Sequence, residues 1–206
     1  PIIMFHHRFP TSTENWAELN HPIRVAHPTL KHDYYVIHNG VITNAVELNE
    51  EHEKLGFAYT TLVETLTTVR TQAKERSSEV SYDFNDSESL AIDIALTLEG
   101  KQDTMKSKGS IAFILFQTNK KVAIQNIIYG HNARNPLILA VDNANGMMFL
   151  KSEGKGVDVE VDKIFIQDFK THKITKLDIK VGNNWEYTPP TTPNLPSVYR
   201  RGYENE

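Results

Sequence analysis

Apolar residues along this 206-residue chain recur in two rhythms, and the change from one to the other sketches its organisation. Residues 2–5 (IIMF) form a short apolar run that ends on polar His6-His7-Arg8, the pattern of a buried strand delivering side chains to a site at its end. Residues 11–32, rich in Thr, Asn, Pro and His, read as a long irregular loop, and such a loop inside a compact domain is usually functional. Residues 33–38 (DYYVIH) read as a strand with a tight turn at Asn39-Gly40. A helix then follows to Gly56, with Ala45, Leu48, His52 and Leu55 on one stripe and Asn44 with Glu47 as a capping box.

Residues 60–85 carry many Thr, Ser, Lys and Glu with weak periodicity and read as an insertion, partly helical. A second helix is predicted over 87–99, with Leu90, Ile94 and Leu98 on one stripe, Ala91 and Ala95 beside it, and Asp86 at its N-terminal edge. Strand-like runs follow at 110–116, 121–128, 136–141 and 147–151, spaced as in an antiparallel meander. Further strands are predicted at 157–161, 163–168 and 174–181, and the Pro-rich stretch 188–206 reads as an extended arm. Helices followed by a run of strands predict an α+β layered domain over 1–154, additional strands over 155–187, and a tail from 188.

Composition narrows the functions open to such a chain. A net charge of −4 and a pI near 6.2 provide no overall basic field, so neither nucleic acid nor an anionic membrane is an expected partner. No apolar run approaches the ~20 residues that span a bilayer, and the expected location is cytoplasmic. The chain contains no Cys, so a disulfide framework, a thiolate metal site and a thiol nucleophile are all excluded within it. His6, His7, His27, His32 and His131 are scattered without metal-ligand spacing, and no metal or cofactor is expected.

Three short motifs carry candidate chemistry: Arg8-Phe9-Pro10-Thr11, His38-Asn39-Gly40 and Asp86-Ser87-Glu88. Singly, each has a plain reading: an ion-pairing Arg, a tight turn and a helix cap. Their order, however, resembles the glutamine pocket of the class II glutamine amidotransferases, N-terminal-nucleophile (Ntn) hydrolases that release ammonia from glutamine. Residues 5–13 (FHHRFPTST) match that family's G-H-T-R-W-A-T-H-G at His6, Arg8 and Thr11, with Phe9 in place of Trp. Asn20-His21-Pro22 resembles its short Asn/His-Pro segment, residues 38–44 (HNGVITN) its H-N-G-x-I-x-N, and residues 85–88 (NDSE) its S-D-T-E. Residues 109–116, 129–139 and 149–153 (FLKSE) resemble its later segments, so the likeness extends from 1 to about 154.

The resemblance implies a four-layer αββα sandwich in which Arg8 binds the α-carboxylate of glutamine, Asp86 its α-ammonium, and Asn39 with Gly40 the oxyanion. Thr11 and His21 would lie in the same pocket. In the family some tens of residues, with the nucleophilic Cys, precede the segment that corresponds to Pro1. The expectation is therefore a larger fragment from cleavage or gene splitting, inactive alone and completed by a Cys-bearing companion polypeptide in a homo- or hetero-oligomer. A catalytically inactive amidotransferase-fold protein, structural or interacting within a larger assembly, stays open beside it, because the nucleophile is absent from the chain.

Overall fold

The computed structural model describes residues 20–70, 76–121 and 123–182. Within them lie, in chain order, β1 (Ile23–Val25), β2 (Asp33–Ile42), α1 (Ala45–Lys54), β3 (Val63–Arg70), β4 (Arg76–Asp83), α2 (Asp86–Leu98) and β5 (Gly109–Thr118). They continue as β6 (Ile124–His131), β7 (Ile138–Asp142), β8 (Met147–Lys151), β9 (Val157–Asp158), β10 (Lys163–Asp168) and β11 (Ile174–Leu177). A six-stranded sheet has the order β1-β2-β5-β6-β10-β11, every neighbouring pair antiparallel. A three-stranded sheet, β8-β7-β9, and the hairpin β3-β4 complete an α+β architecture of antiparallel sheets and few helices. The predicted strand at 2–5 and the arm at 188–206 lie outside the described residues.

Strand alternation sorts the large sheet into two faces. Tyr34, Val36, Ile111, Phe113, Leu115, Ile128 and Ile164 project to one side, where they share the principal core with Leu48 of α1 and Leu90, Ile94 and Ala95 of α2. Ile114, Ile127, Tyr129 and Phe165 project to the other and join Leu137, Leu139, Leu150 and Val159 beneath the small sheet. Helix α2 is buried almost all round, from Ser87 to Thr97, as expected of a helix that carries Leu, Ile and Ala on most sides. Its N-cap is Asn85, whose side chain accepts the Ser87 N–H at 3.0 Å.

Several local expectations give way to longer-range contacts. Asn39 and Gly40 form no turn: β2 runs straight through them, opposite Ala112 and Ile111, and the chain reverses only after Ile42. Glycine makes this possible, because a Cβ at residue 40, where φ is +142°, would stand 1.8 Å from the Ser110 carbonyl oxygen. The irregular loop predicted at 11–32 contains β1, paired to β2. Residues 60–85, expected to be partly helical, form the β3–β4 hairpin, in keeping with their Thr and Val content.

The capping box at Asn44 is absent as well. Its side chain is drawn instead to the Lys106 carbonyl (3.2 Å) and the Lys108 N–H (2.7 Å), tying the start of α1 to the segment before β5. Leu55, expected on the buried stripe of α1, is the exposed C-cap. The meander also divides, since β7 and β8 leave for the small sheet and the second neighbour of β6 is β10. Strands β10 and β11 extend the same sheet that holds β2 and β5.

Candidate functional site

The sequence motifs converge on the last four residues of β2. Asp86 is the first residue of α2 and accepts the Ile42 N–H on Oδ2 at 2.7 Å. The neighbouring Ser87 hydroxyl lies 3.0 Å from Nδ1 of buried His38, whose Nε2 is 3.2 Å from the Ser110 carbonyl oxygen. A carbonyl only accepts, so the His38 proton sits on Nε2 and Nδ1 accepts from Ser87. The Val41 N–H donates to the Ser110 hydroxyl at 3.1 Å, and the Asn39 carbonyl accepts from Asn135 Nδ2 at 2.6 Å. Side chains from α2, β5 and the loop after β6 therefore hold the backbone of residues 39–42.

That loop is itself pinned. Asn132 accepts the Ile111 N–H (3.1 Å) and donates to the Gly109 carbonyl (2.8 Å), while His131 lies 2.7 Å from the Val159 carbonyl through Nε2 and 2.8 Å from the Asn135 carbonyl through Nδ1. Asn135 is thereby set against β2 by contacts at the end of β6 and the start of β5. Ser110 and Asn135 escaped sequence reasoning as site residues. The signal available for Asn135 was its place in YGHNARNPLIL, and for Ser110 its place after Gly109.

Asn39 itself is exposed, and its side chain lies on the same face as Ile37, opposite Ala112. This face opens into a cavity of about 590 Å³ between the large sheet and the β7–β8 hairpin. Its lining includes the apolar Ile37, Ala112, Ile114, Leu137 and Phe149 and the polar His38, Asn39, Lys151, Ser152 and Glu153. Asp86 is not part of this lining, since it approaches β2 from the helix layer. The structure thus gathers Asp86, His38 and the 39–42 backbone at one end of β2, with Asp86 reaching it from the start of α2 and the Asn39 side chain lining the cavity.

His21 precedes β1, which starts opposite Val36, so it enters the sheet beside the His38–Ile42 end of β2. Arg8 and Thr11 lie outside the described residues. Glu88, the last member of the Asp-Ser-Glu motif, has a structural task. Its buried carboxylate accepts the N–H and hydroxyl of both Thr60 and Thr61 at 2.6–2.9 Å, fastening α2 to the segment that leads into β3. Among the described residues no group of three or more His, Cys, Asp or Glu is placed to hold a metal ion.

No protein-family model and no curated protein matches the sequence. Among solved structures, the chain is similar to the allosteric regulatory enzyme of purine biosynthesis at 14% identity and a TM-score of 0.45, over 78% of this chain and 31% of that one. It is also similar to the glutamine phosphoribosylpyrophosphate amidotransferase of B. subtilis complexed with ADP and GMP, at 14% identity and a TM-score of 0.43, over 81% of this chain and 33% of that one. The chain spans about a third of the length of each of these structures.

Proposed function

We propose that this chain is part of a class II glutamine amidotransferase-like domain, an Ntn-hydrolase αββα sandwich completed by a companion segment, outside these residues, with an N-terminal Cys. The complex hydrolyses glutamine to glutamate and ammonia. Arg8 holds the α-carboxylate by bidentate pairing, Asp86 the α-ammonium, and Thr11 and His21 line the same pocket. The Asn39 amide and the Gly40 N–H receive the oxyanion that forms when the companion's thiolate adds to the carboxamide carbon, a contribution worth several kcal/mol. Ammonia leaves as the C–N bond breaks, and water releases glutamate from the thioester.

The observation that carries this reading is the way residues 39–42 are held. Side chains of Asp86, Ser110 and Asn135 occupy their backbone groups, while the Asn39 amide has no partner among the described residues. A donor carried on a backbone held in this way is what electrostatic stabilisation of a reacting carbonyl requires. A second reading, a catalytically silent member of a larger assembly that keeps the fold, is favoured by the absence of Cys from the chain.

Intact-mass analysis and N-terminal sequencing of the natively isolated protein, followed by a glutaminase assay, separate the two. A companion that begins with Cys, with activity lost in Arg8→Ala and Asp86→Ala, is the expected result. Activity that survives both substitutions overturns the pocket, and no companion with no activity leaves the assembly role.

A further inference from the structure

The lining of the cavity beside Asn39 carries charges of both signs that no described residue pairs with. Lys151 and Glu153 stand two residues apart at the end of β8, at the mouth of one cavity, without pairing to each other or to any described residue. The Asn39 amide and the Ser152 hydroxyl, in the same lining, are also without hydrogen-bond partners among the described residues. The same lining includes the apolar Ile37, Ala112, Ile114, Leu137 and Phe149.

Each feature constrains the ligand. An apolar floor with a few convergent polar groups is the ordinary make-up of a small-molecule site, and about 590 Å³ falls inside the ~300–1,000 Å³ range of such sites, with room for more than one amino acid. One unpaired cation and one unpaired anion select a ligand that carries both complementary charges. An Asn side chain, with one acceptor and two donors, matches an amide.

We propose that this cavity binds a zwitterionic, dipeptide-sized ligand with an apolar body, its carboxylate on Lys151, its ammonium on Glu153 and its amide on Asn39. The proposal goes beyond the function given above: it shares Asn39 with that reading, but the ligand's charges rest on Lys151 and Glu153 in place of Arg8 and Asp86, so this ligand and glutamine would compete for Asn39. It adds Lys151 and Glu153 as specificity residues beside Asn39.

Isothermal titration of the full chain at low salt, with leucyl-glutamine, its C-terminal amide and its N-acetyl derivative as probes, tests it. Leucyl-glutamine should bind at least about tenfold tighter than either capped form, the loss expected for one screened charge-assisted contact. Lys151→Met should abolish the discrimination against the C-terminal amide alone, and Glu153→Gln that against the acetylated form alone. A general structural defect would not divide in this way. No binding of leucyl-glutamine, or discrimination unchanged in both variants, overturns the proposal. Divided discrimination in a protein whose native complex hydrolyses no glutamine leaves the proposal standing and removes the proposed function; glutaminase activity without divided discrimination does the reverse.

Discussion

The two faces of the large sheet are built to different standards. On the helix side Tyr34, Val36, Leu115 and Ile164 are fully buried in the core they share with α2, and the acid side chains enclosed there are supplied with donors: Glu88 by Thr60 and Thr61, Asp93 by Lys106 and Ser107, Glu99 by Lys31 and His32. On the other side the core shrinks to Tyr129, Leu137 and Val159 with their half-buried neighbours, and Val141, Met148 and Phe149 of the small sheet are 60%, 36% and 45% exposed. The side chains of Asn39, Lys151 and Glu153, without partners among the described residues, all line the cavity on that side. Stability is concentrated on one face and unsatisfied binding capacity on the other, the division expected where a rigid layer supports a site.

The closed face should break hardest at Asp93. Its carboxylate is fully buried and accepts the N–H groups of Lys106 and Ser107, the Ser107 hydroxyl and the Gln102 amide, closing the loop between α2 and β5. Asp93→Ala leaves those donors buried without an acceptor and is expected to cost about 3–5 kcal/mol in urea unfolding. Asp93→Asn, which keeps one acceptor oxygen, should cost about half as much. A loss under about 1 kcal/mol for the alanine variant would mean that water reaches this loop and that the closed face is less sealed than described.

A second test uses acid. His52 of α1 is 2% exposed, and burial holds its imidazole down at about 4 from an ordinary 6.5, against the opposing pull of Asp93 and Glu51. It sits at the head of a hydrogen-bond chain through the Tyr59 hydroxyl (2.8 Å) and the Ser89 hydroxyl (3.0 Å) to the Ala45 carbonyl (3.2 Å). Because the last member only accepts, each hydroxyl donates onward and Nδ1–H donates to Tyr59. Between pH 6.5 and about 4 the unfolded chain takes up a proton that native His52 refuses. The stabilisation is thus complete above 6.5, falls with pH through that window and levels off below about 4, a total of roughly 3 kcal/mol. His52→Gln should remove that part of the slope; an unchanged slope would show that the imidazole is solvated in the native state.

The closed face was also the more legible one in the sequence. Leu90, Ile94 and Leu98 at helical spacing announced α2, and the alternation in β5 and β6 announced two strands of the sheet whose core it shares. Misreadings gathered where a residue's local preference is overridden by a distant partner. Asn39-Gly40 has turn chemistry, yet Gly40 serves close approach to Ser110, seventy residues on. Asn44 has capping chemistry, yet its side chain serves Lys106 and Lys108. At the site, the resemblance selected Asn39 and Asp86 by motif, but no motif states which face of β2 a side chain takes. Lys151 and Glu153 passed as two letters of FLKSE because their lack of partners is a property of the folded surroundings alone.

The finest test sets one residue from each face against the other. Leu115 is fully buried in the helix-side core, and Leu115→Ala should cost about 3 kcal/mol, within the range for an unrelaxed cavity. Phe149 is the larger side chain, and in a closed core its truncation would cost as much or more. At 45% exposure on β8 it has little burial to lose, so Phe149→Ala should cost no more than about 1 kcal/mol. The order of the two is the informative quantity, because it inverts what side-chain size predicts. If urea unfolding gives Phe149→Ala a cost equal to that of Leu115→Ala, the small sheet is covered in solution and the two faces are equivalent after all. If the inversion holds while the same substitution weakens binding in the adjoining cavity, Phe149 contributes to a ligand's surroundings more than to the fold, and the open face is open for binding.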